Sequence, residues 1–343
     1  MEKIQKDHNK QLIPAQTIVV IPTLNEEDHI EACIESLIDD RFTGDVQIVV
    51  SDGGSKDRTT EIVSALGKRF PNVSLVDNPK RLQSAAVNIA VEKSSFPRTR
   101  YLVRCDAHAL YPSGYLRRAV GSLAGRPEAA SVCGVLDARG ETCFARAAAW
   151  VVDTPLGSGG AAHRGGRQSG WVDHGHHVGF KIEWYNQLGG YDAEFSHNED
   201  GEYDYRLAKA GGRIWLDASL RVDYVMRQGP TALARQYWNY GDGRARTIWK
   251  HGIRPRIRQM IPPINVVILV SSVPVMFVFP FAAAFFAFYL TVLMGTSIFA
   301  AISMRSFCGL WAGIALALMH NAWGTGFLLR MTRNFVKRFF EVK

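Results

Sequence analysis

From Ile261 to Met331 the sequence has no acidic residue, and its only cations there are Arg305 and, at the edge, Arg330. A run so poor in charge is not the surface of an ordinary soluble domain. Each helix crossing a hydrocarbon core takes about 20 apolar residues, so this stretch has room for two or three spans. Cysteine is scarce as well. The five present, Cys33, Cys105, Cys133, Cys143 and Cys308, show no metal-type spacing, which argues against a zinc module. They read as reduced, buried small hydrophobes of a cytosolic protein. Residues 1–16 form a polar tail without the apolar stretch of a secretory signal, so no cleavable leader is expected. Internal repeats and long low-complexity segments are absent.

The charge that is present is placed informatively. The net charge is +8. Arg244, Arg246, Lys250, Arg254, Arg256 and Arg258 come just before the apolar block, and Arg330, Arg333, Lys337 and Arg338 close it. Cations hugging apolar spans mark a cytoplasmic membrane face and attract anionic lipid. That favours membrane lipid over nucleic acid as the partner. Three spans would put the two basic clusters on opposite sides; two spans, or a re-entrant segment around Pro274 to Pro280, would keep them together.

Up to about residue 250 the chain reads as a globular domain. Apolar, β-branched runs at Thr17–Ile21, Gln47–Val50, Val73–Val76, Tyr101–Cys105 and Ala130–Leu136 predict strands. Between the first four, helical spacing predicts helices, such as the one carrying Ile30, Cys33, Ile34, Leu37 and Ile38. Such alternation implies an α/β fold, a mostly parallel sheet covered by helices. Asp137 to Gly170 is glycine-rich and reads as a long loop, either a lid or an unstructured connection. Further on, helices are expected at Ile182–Leu188, Asp200–Ala210 and Thr231–Tyr240, and strands at Arg213–Asp217 and Arg221–Met226.

Ligands of parallel sheets sit beyond the carboxyl ends of the strands. Asn25, Asp52 and Asp106 all fall there, which reads as one site. In Asp52-Gly-Gly-Ser-Lys-Asp-Arg-Thr59, glycines let the backbone approach a ligand and the aspartate can accept a hydrogen bond; the segment also suits a plain turn with Ser55 or Asp57 as helix cap. Asp106-Ala-His108 sets an acid and an imidazole side by side. Mg²⁺ takes few protein ligands and leans on substrate phosphates, and the histidine shifts the preference toward Mn²⁺. Glu199-Asp200 opens a helix with paired carboxylates, an arrangement for a base or for a solvated helix start. Gln236-Tyr-Trp238 places aromatic rings beside polar groups, as a ligand clamp or an interfacial belt does. His174, His176 and His177 resemble a zinc cluster but lack a Cys or carboxylate at helical spacing, so loop structure or ligand contact is the better reading.

In that order these elements resemble the inverting family 2 glycosyltransferases of GT-A fold. The resemblance rests on Pro22-Thr-Leu-Asn-Glu-Glu27, Asp52 to Thr59, Arg81 to Asn88, Asp106-Ala-His108, Gly189-Gly-Tyr-Asp192 and Glu199-Asp200. It implies a UDP-sugar donor contacted by Pro22, Asn25, Glu26, Asp52, Arg81, Asn88 and Asp106, with Asp52 on the uracil and Asp106 on the ribose. It also implies a divalent metal, Mn²⁺ or Mg²⁺, at His108 and Asp106, and Asp200 as catalytic base. Glu199, Gln236 and Trp238 would contact acceptor or diphosphate. His108 departs from the aspartate most members carry. That variant, followed by Tyr111-Pro112 and an apolar C-terminal region, is similar to the succinoglycan-type exopolysaccharide glucosyltransferases. The resemblance therefore implies glucose transfer to a polyprenyl-diphosphate-linked saccharide. The enzyme would sit in the cell inner membrane as a multi-pass protein with its catalytic domain, residues 17–250, in the cytoplasm and its membrane region in 251–343. The rivals are a processive polysaccharide synthase and a non-catalytic membrane protein on the same scaffold. A nucleotide-sugar oxidoreductase would need Gly-x-Gly-x-x-Gly where Pro22-Thr-Leu-Asn stands.

Overall fold

The computed structural model describes residues 17–38 and 46–341; the polar stretch 1–16 lies outside them. The described chain forms two compact units. One runs up to Leu136 and resumes over Gly165–Asp223; the other takes 137–164 and continues from Tyr224.

The first unit is built on an eight-stranded sheet of order β3-β2-β1-β4-β7-β5-β8-β6. Its strands are β1 (Thr17–Thr23), β2 (Gln47–Asp52), β3 (Val73–Asp77), β4 (Tyr101–Arg104), β5 (Ala129–Arg139), β6 (Gly170–Val172), β7 (His176–Lys181) and β8 (Arg213–Val225). β3, β2, β1 and β4 are parallel neighbours. β7 lies antiparallel to both β4 and β5. The parallel strands are apolar without alternation because helices cover both faces: every residue of Ile18–Ile21 and Val49–Val50 is buried. The helices are α1 (Ile30–Ile38), α2 (Thr59–Arg69), α3 (Gln83–Ser94), α4 (Tyr115–Ala124), α6 (Ile182–Gln187) and α7 (Glu199–Lys209), with α5 lying in the second unit. α1 buries Ile30, Cys33, Ile34 and Leu37, the stripe its spacing foretold. Under the C-terminal end of the sheet, Phe180, Tyr185, Tyr191 and Tyr203 form a buried aromatic cluster, ring centroids 5.3–5.7 Å apart along the chain of neighbours.

The second unit holds α5 (Cys143–Val152), α8 (Pro230–His251), α9 (Ile257–Val275), α10 (Ala283–Ser303) and α11 (Ala312–Glu341). Three helices in it, over Ile257–Val275, Pro280–Ser303 and Phe307–Phe340, are long and apolar enough to cross a membrane.

Several expectations need correction. The supposed glycine-rich loop contains α5, capped by the Thr142 hydroxyl accepting from the Ala145 amide at 3.1 Å, and a helical turn at Pro155–Ser158. Its glycines cluster at 157–166, after the helix, while Phe144, Ala145, Ala148 and Val151 supply a buried face that the glycines obscured. β8 is one strand where two were expected. α8 extends eleven residues past Tyr240, to His251. Cys143 and Cys308 form a disulfide, against the expectation of five free thiols. They are 165 positions apart, so only packing of α5 against the turn at Phe307–Trp311 brings them together. Cys33, Cys105 and Cys133 are free and buried as expected.

Candidate active site

The loops after β1 and β2 are stitched to each other. Asn25, in the left-handed region (φ 54°) that asparagine tolerates, donates its amide to Ser55 Oγ at 2.8 Å and accepts from the Lys56 amide at 2.8 Å. The Glu26 amide donates to Thr59 Oγ1 at 2.9 Å. Asp52 shapes its own turn: one carboxylate oxygen accepts from the amides of Gly54 and Ser55, both at 2.9 Å, and the other from the Ser55 hydroxyl. Gly54 (φ 81°) must be a glycine for that turn. A Cβ there would meet the Arg81 guanidinium at 3.4 Å, so Arg81 lies over the Asp52 turn. Pro22, half-buried in β1, pairs with Ser51 beside it. Asn25, Asp52 and Arg81 are thus one patch. Asn88 faces elsewhere. Its side-chain oxygen accepts from the Tyr185 hydroxyl (2.7 Å) and the Tyr191 amide (2.9 Å), and its side-chain nitrogen donates to the Tyr191 carbonyl (2.7 Å). It clamps the Gly189–Asp192 turn, and Gly190 (φ 69°) leaves no room for a side chain against it.

Asp106 and His108 follow β4. The Asp106 amide donates to the Tyr111 hydroxyl at 2.6 Å. His108 Nδ1 is 3.1 Å from a Glu26 carboxylate oxygen, so Glu26 stands behind the imidazole as an orienting carboxylate. His176, on β7, places Nε2 3.8 Å from Asp106. One carboxylate, one imidazole and a carboxylate behind the imidazole fit a divalent cation arriving with a diphosphate. Among the described residues no group of three or more His, Cys, Asp or Glu is placed to hold an ion unaided, so phosphate oxygens would have to complete its shell. A cation held there would neutralise charge on a departing diphosphate.

The centre of the site is a residue that motif reading missed. Arg104, the last residue of β4, is buried. Its guanidinium donates to Asp200 at 2.8 Å and to the Tyr191 hydroxyl at 3.3 Å, and lies 3.7 Å from Asp106 and 3.8 Å from Glu199. The Gln83 amide oxygen, in the orientation that satisfies both groups, accepts from it at 2.6 and 3.2 Å. Tyr191 donates its hydroxyl to the same Asp200 oxygen at 2.6 Å. One cation therefore ties Asp106 to the acid pair at the start of α7. Burial by itself would raise the Asp200 pKa. Arg104 outweighs it, with His177, His176 and the Tyr191 hydroxyl helping, and holds the carboxyl well below the usual range. Asp106 is lowered too, Arg104 overcoming burial with His176 and His108 assisting. Glu199 goes the other way, pushed up to about 7 by burial and then by the Asp200 charge.

Strand alternation sends His176 and His177 to opposite faces of β7, and His174 lies just before that strand. His176 points to Asp106, while fully buried His177 and partly exposed His174 both pair with Asp204 at 2.5 Å. Arg206 makes its ion pair with Glu202 at 2.7 Å and donates to the carbonyls of Leu188 and Gly190, bracing the turn that carries Tyr191. Gln236 and Trp238 lie on α8 in the second unit, where Gln236 donates to the hydroxyls of Tyr224 (2.6 Å) and Tyr240 (3.1 Å).

A mostly parallel sheet with strand-end acids gathered by a buried arginine suits a sugar transferase, and the chain belongs to the family 2 glycosyltransferases by sequence: the family model "Glycosyl transferase family 2" matches residues 18–189. The succinoglycan biosynthesis protein ExoA of Rhizobium meliloti (strain 1021) is 40% identical over 321 residues, covering 92% of this chain and 95% of that one. A dolichyl N-acetyl-alpha-D-glucosaminyl phosphate 3-beta-D-2,3-diacetamido-2,3-dideoxy-beta-D-glucuronosyltransferase of Methanococcus voltae is 26% identical, over 68% of this chain and 74% of its own. Among solved structures, the mannosyltransferase PcManGT of Pyrobaculum calidifontis, in complex with GDP-Man and Mn²⁺, matches with TM-score 0.57 at 18% identity over 94% of this chain and 93% of that one. The fold is of the GT-A type, and the protein is a glycosyltransferase homologous to that succinoglycan biosynthesis protein.

Proposed function

We propose that the enzyme transfers a hexose, glucose from UDP-glucose, to a lipid-linked saccharide with inversion at C1, in exopolysaccharide or cell-surface glycan synthesis. The carrying observation is the cluster in which Arg104 joins Asp106 to Glu199 and Asp200. It supports a reading in which a diphosphate- and cation-binding edge lies beside a carboxylate that can face an acceptor hydroxyl. The donor lies over the Asn25–Asp52–Arg81 patch, with Asp106 at the ribose and Asp106 and His108 toward the metal. Asp200 takes the proton of the acceptor hydroxyl. The hydroxyl oxygen bonds to C1 as the bond from C1 to the diphosphate oxygen breaks, and UDP leaves with that electron pair. Arg104 and Tyr191 fix the Asp200 carboxylate in place. Glu199 serves the acceptor or diphosphate. The 40% identity to a succinoglycan biosynthesis protein supports the pathway class, and the Methanococcus relative, whose name carries a dolichyl phosphate, supports a lipid-linked acceptor. The catalytic unit would face the cytoplasm at the inner membrane.

A second assignment has its own observation. Glu199, with a pKa near 7, is better matched to a base working at neutral pH, with Asp200 then a fixed charge. The deciding experiment for the reaction is a donor screen. Membranes containing the protein are supplied with UDP-glucose, other UDP-sugars and GDP-mannose, with Mn²⁺ or Mg²⁺ and a lipid-linked acceptor fraction, and the product linkage is determined. UDP-glucose turnover giving a β-linkage is expected. An α-linked product, or use of GDP-mannose alone, overturns the proposal.

A further inference from the structure

α9, α10 and α11 are each long and apolar enough to span a membrane, yet the second unit treats them differently. In the 18-residue windows that make each helix apolar enough to span, 11% of residues are buried for α9 and for α10, against 44% for α11. α11 is packed by the α9–α10 hairpin, where a Cβ at Gly313 would meet the Leu293 carbonyl and one at Gly324 the Pro262 carbonyl, and most extensively by α8. A Cβ at Gly241 would collide with the Trp323 carbonyl, and one at Gly326 with the Trp238 carbonyl, so the two backbones touch. Asp242 and Arg330 form a two-bonded ion pair at 2.6 and 2.8 Å. One shared core runs from Leu233 and Tyr237 with Ala312, Ala315 and Met319, and a second joins Ala245 and Ile248 to Phe327. Within sixteen positions α8 carries Arg235, Asp242, Arg244, Arg246 and Lys250. A helix so charged does not lie in hydrocarbon, and α11 lies along most of its length.

The α9–α10 hairpin has the opposite character. From Gln259 to Met304 there is no charged residue. Three of its hydroxyls turn back on their own helices, Ser271 onto the Val267 carbonyl, Thr291 onto Ala287 and Thr296 onto Val292, at 2.7–2.8 Å, which is how polar side chains are satisfied in lipid, while Ser297 donates to the Leu310 carbonyl at 2.9 Å and Tyr289 accepts from Asn321 at 3.0 Å. The tip, Met276–Ala282, has no polar side chain. It exposes Phe277 and Phe281 by 83% and 89%, and the amides of Met276, Val278, Phe279 and Ala282 bond to nearby carbonyls at 2.7–3.0 Å. A turn meant for water on the far side of a membrane has no use for three phenylalanines and does not need that internal bonding.

We propose that α9–α10 alone enters the bilayer, as a re-entrant hairpin whose tip stays in hydrocarbon. α11 remains with α8 at the membrane surface, and the chain ends on the side where it began. Arg254 and Arg258 before the hairpin and Arg333, Lys337 and Arg338 after it then meet the anionic headgroups of one leaflet. This holds whichever sugar the enzyme transfers.

The test uses the full chain in native membranes, with an epitope tag at each end, protease added to spheroplasts and to inverted vesicles, and Val278→Cys or Phe281→Cys probed with a membrane-impermeant maleimide. Unsubstituted protein sets the background. Both tags are expected to be cut from the same side, with the tip thiol labelled from neither side until detergent is added. A C-terminal tag on the side opposite the N-terminal one overturns the proposal, because α11 then crosses. Tip labelling from the side opposite the tags makes the hairpin two true spans, and labelling from the tag side means it does not insert; either result overturns the re-entrant reading.

Discussion

Asp200 and Asp204 stand one turn apart on α7, both buried enough to be costly and both held ionised by neighbouring cations, yet they do different work. Asp200 is paired with Arg104 and Tyr191 and keeps 18% of its side chain exposed at the cleft. Asp204, 3% exposed, lies between His174 and His177, and His177 in turn lies 3.9 Å from Cys133. Burial opposes charge on His177, but the Asp204 carboxylate wins and holds the imidazole protonated well above its ordinary range. On the proposed mechanism, the same ingredients give a reactive group where one face is left open and a sealed strut where none is. Accessibility and the rigidity of the partner cation separate the two, not charge itself.

That contrast breaks if the two positions respond alike. Asp200→Asn is expected to lower turnover by about 10²–10⁴-fold, the range for a general base, while UDP binding by calorimetry and the melting temperature stay near those of the parent. Unchanged turnover removes Asp200 from the reaction. Asp204→Asn is expected to act on the fold: it leaves a buried imidazolium unpaired, which costs about 3–5 kcal/mol, read as a fall in denaturant midpoint. Activity per folded molecule should fall far less than in Asp200→Asn. The pH behaviour has a definite sign. The lowered Asp204 pKa contributes stability above its unfolded value of about 3.9, lost as pH falls through the folded value. The raised His177 pKa contributes stability that is complete below about 6.5 and lost as pH rises through its folded value. The strut should therefore hold best between those limits, and Asp204→Asn should flatten that dependence.

The sequence made much of this visible and left out the part that organises it. The parallel half of the sheet was legible because Thr17–Ile21 and Gln47–Val50 are unbroken β-branched runs. Asp52, Asp106 and Asp200 were legible because they sit at the ends of such runs or at a helix start. Arg104 was not singled out, although its signal was present: a cation closing the apolar strand Tyr101–Arg104, two residues before Asp106. The Asp204 strut was hidden because its partners, His174 and His177, lie 30 and 27 positions away. Asn88 and Glu26 were read as donor contacts from their place in the motifs; their hydrogen bonds to Tyr191 and His108 depend on loops that periodicity does not describe. The segment at 137–170 was misjudged because glycine count is a poor guide where alanines and a Thr142 cap build a helix just upstream.

Within the open cluster, smaller effects sharpen the comparison. Glu26→Gln removes the carboxylate behind His108 and is expected to weaken Mn²⁺ binding by about 10–100-fold, measured by electron paramagnetic resonance titration with UDP present; undiminished affinity excludes His108 as an oriented ligand. The finest distinction lies between Asp200 and its neighbour Glu199. With its pKa well below the usual carboxylate range, Asp200 stays charged at every pH where the protein is folded, so a reaction using it as base should show kcat/KM flat from about pH 5 to 8. Glu199, near 7, would be protonated below that value, and a reaction using it should lose about tenfold in rate for each pH unit below 7. The flat profile is expected, with Glu199→Gln changing kcat/KM only slightly and equally across the range. A limb near pH 7 that vanishes in Glu199→Gln would transfer the base to Glu199 and make Arg104–Asp200 its fixed electrostatic support. The open cluster would then contain a strut of its own, differing from Asp204 only in which neighbour it serves.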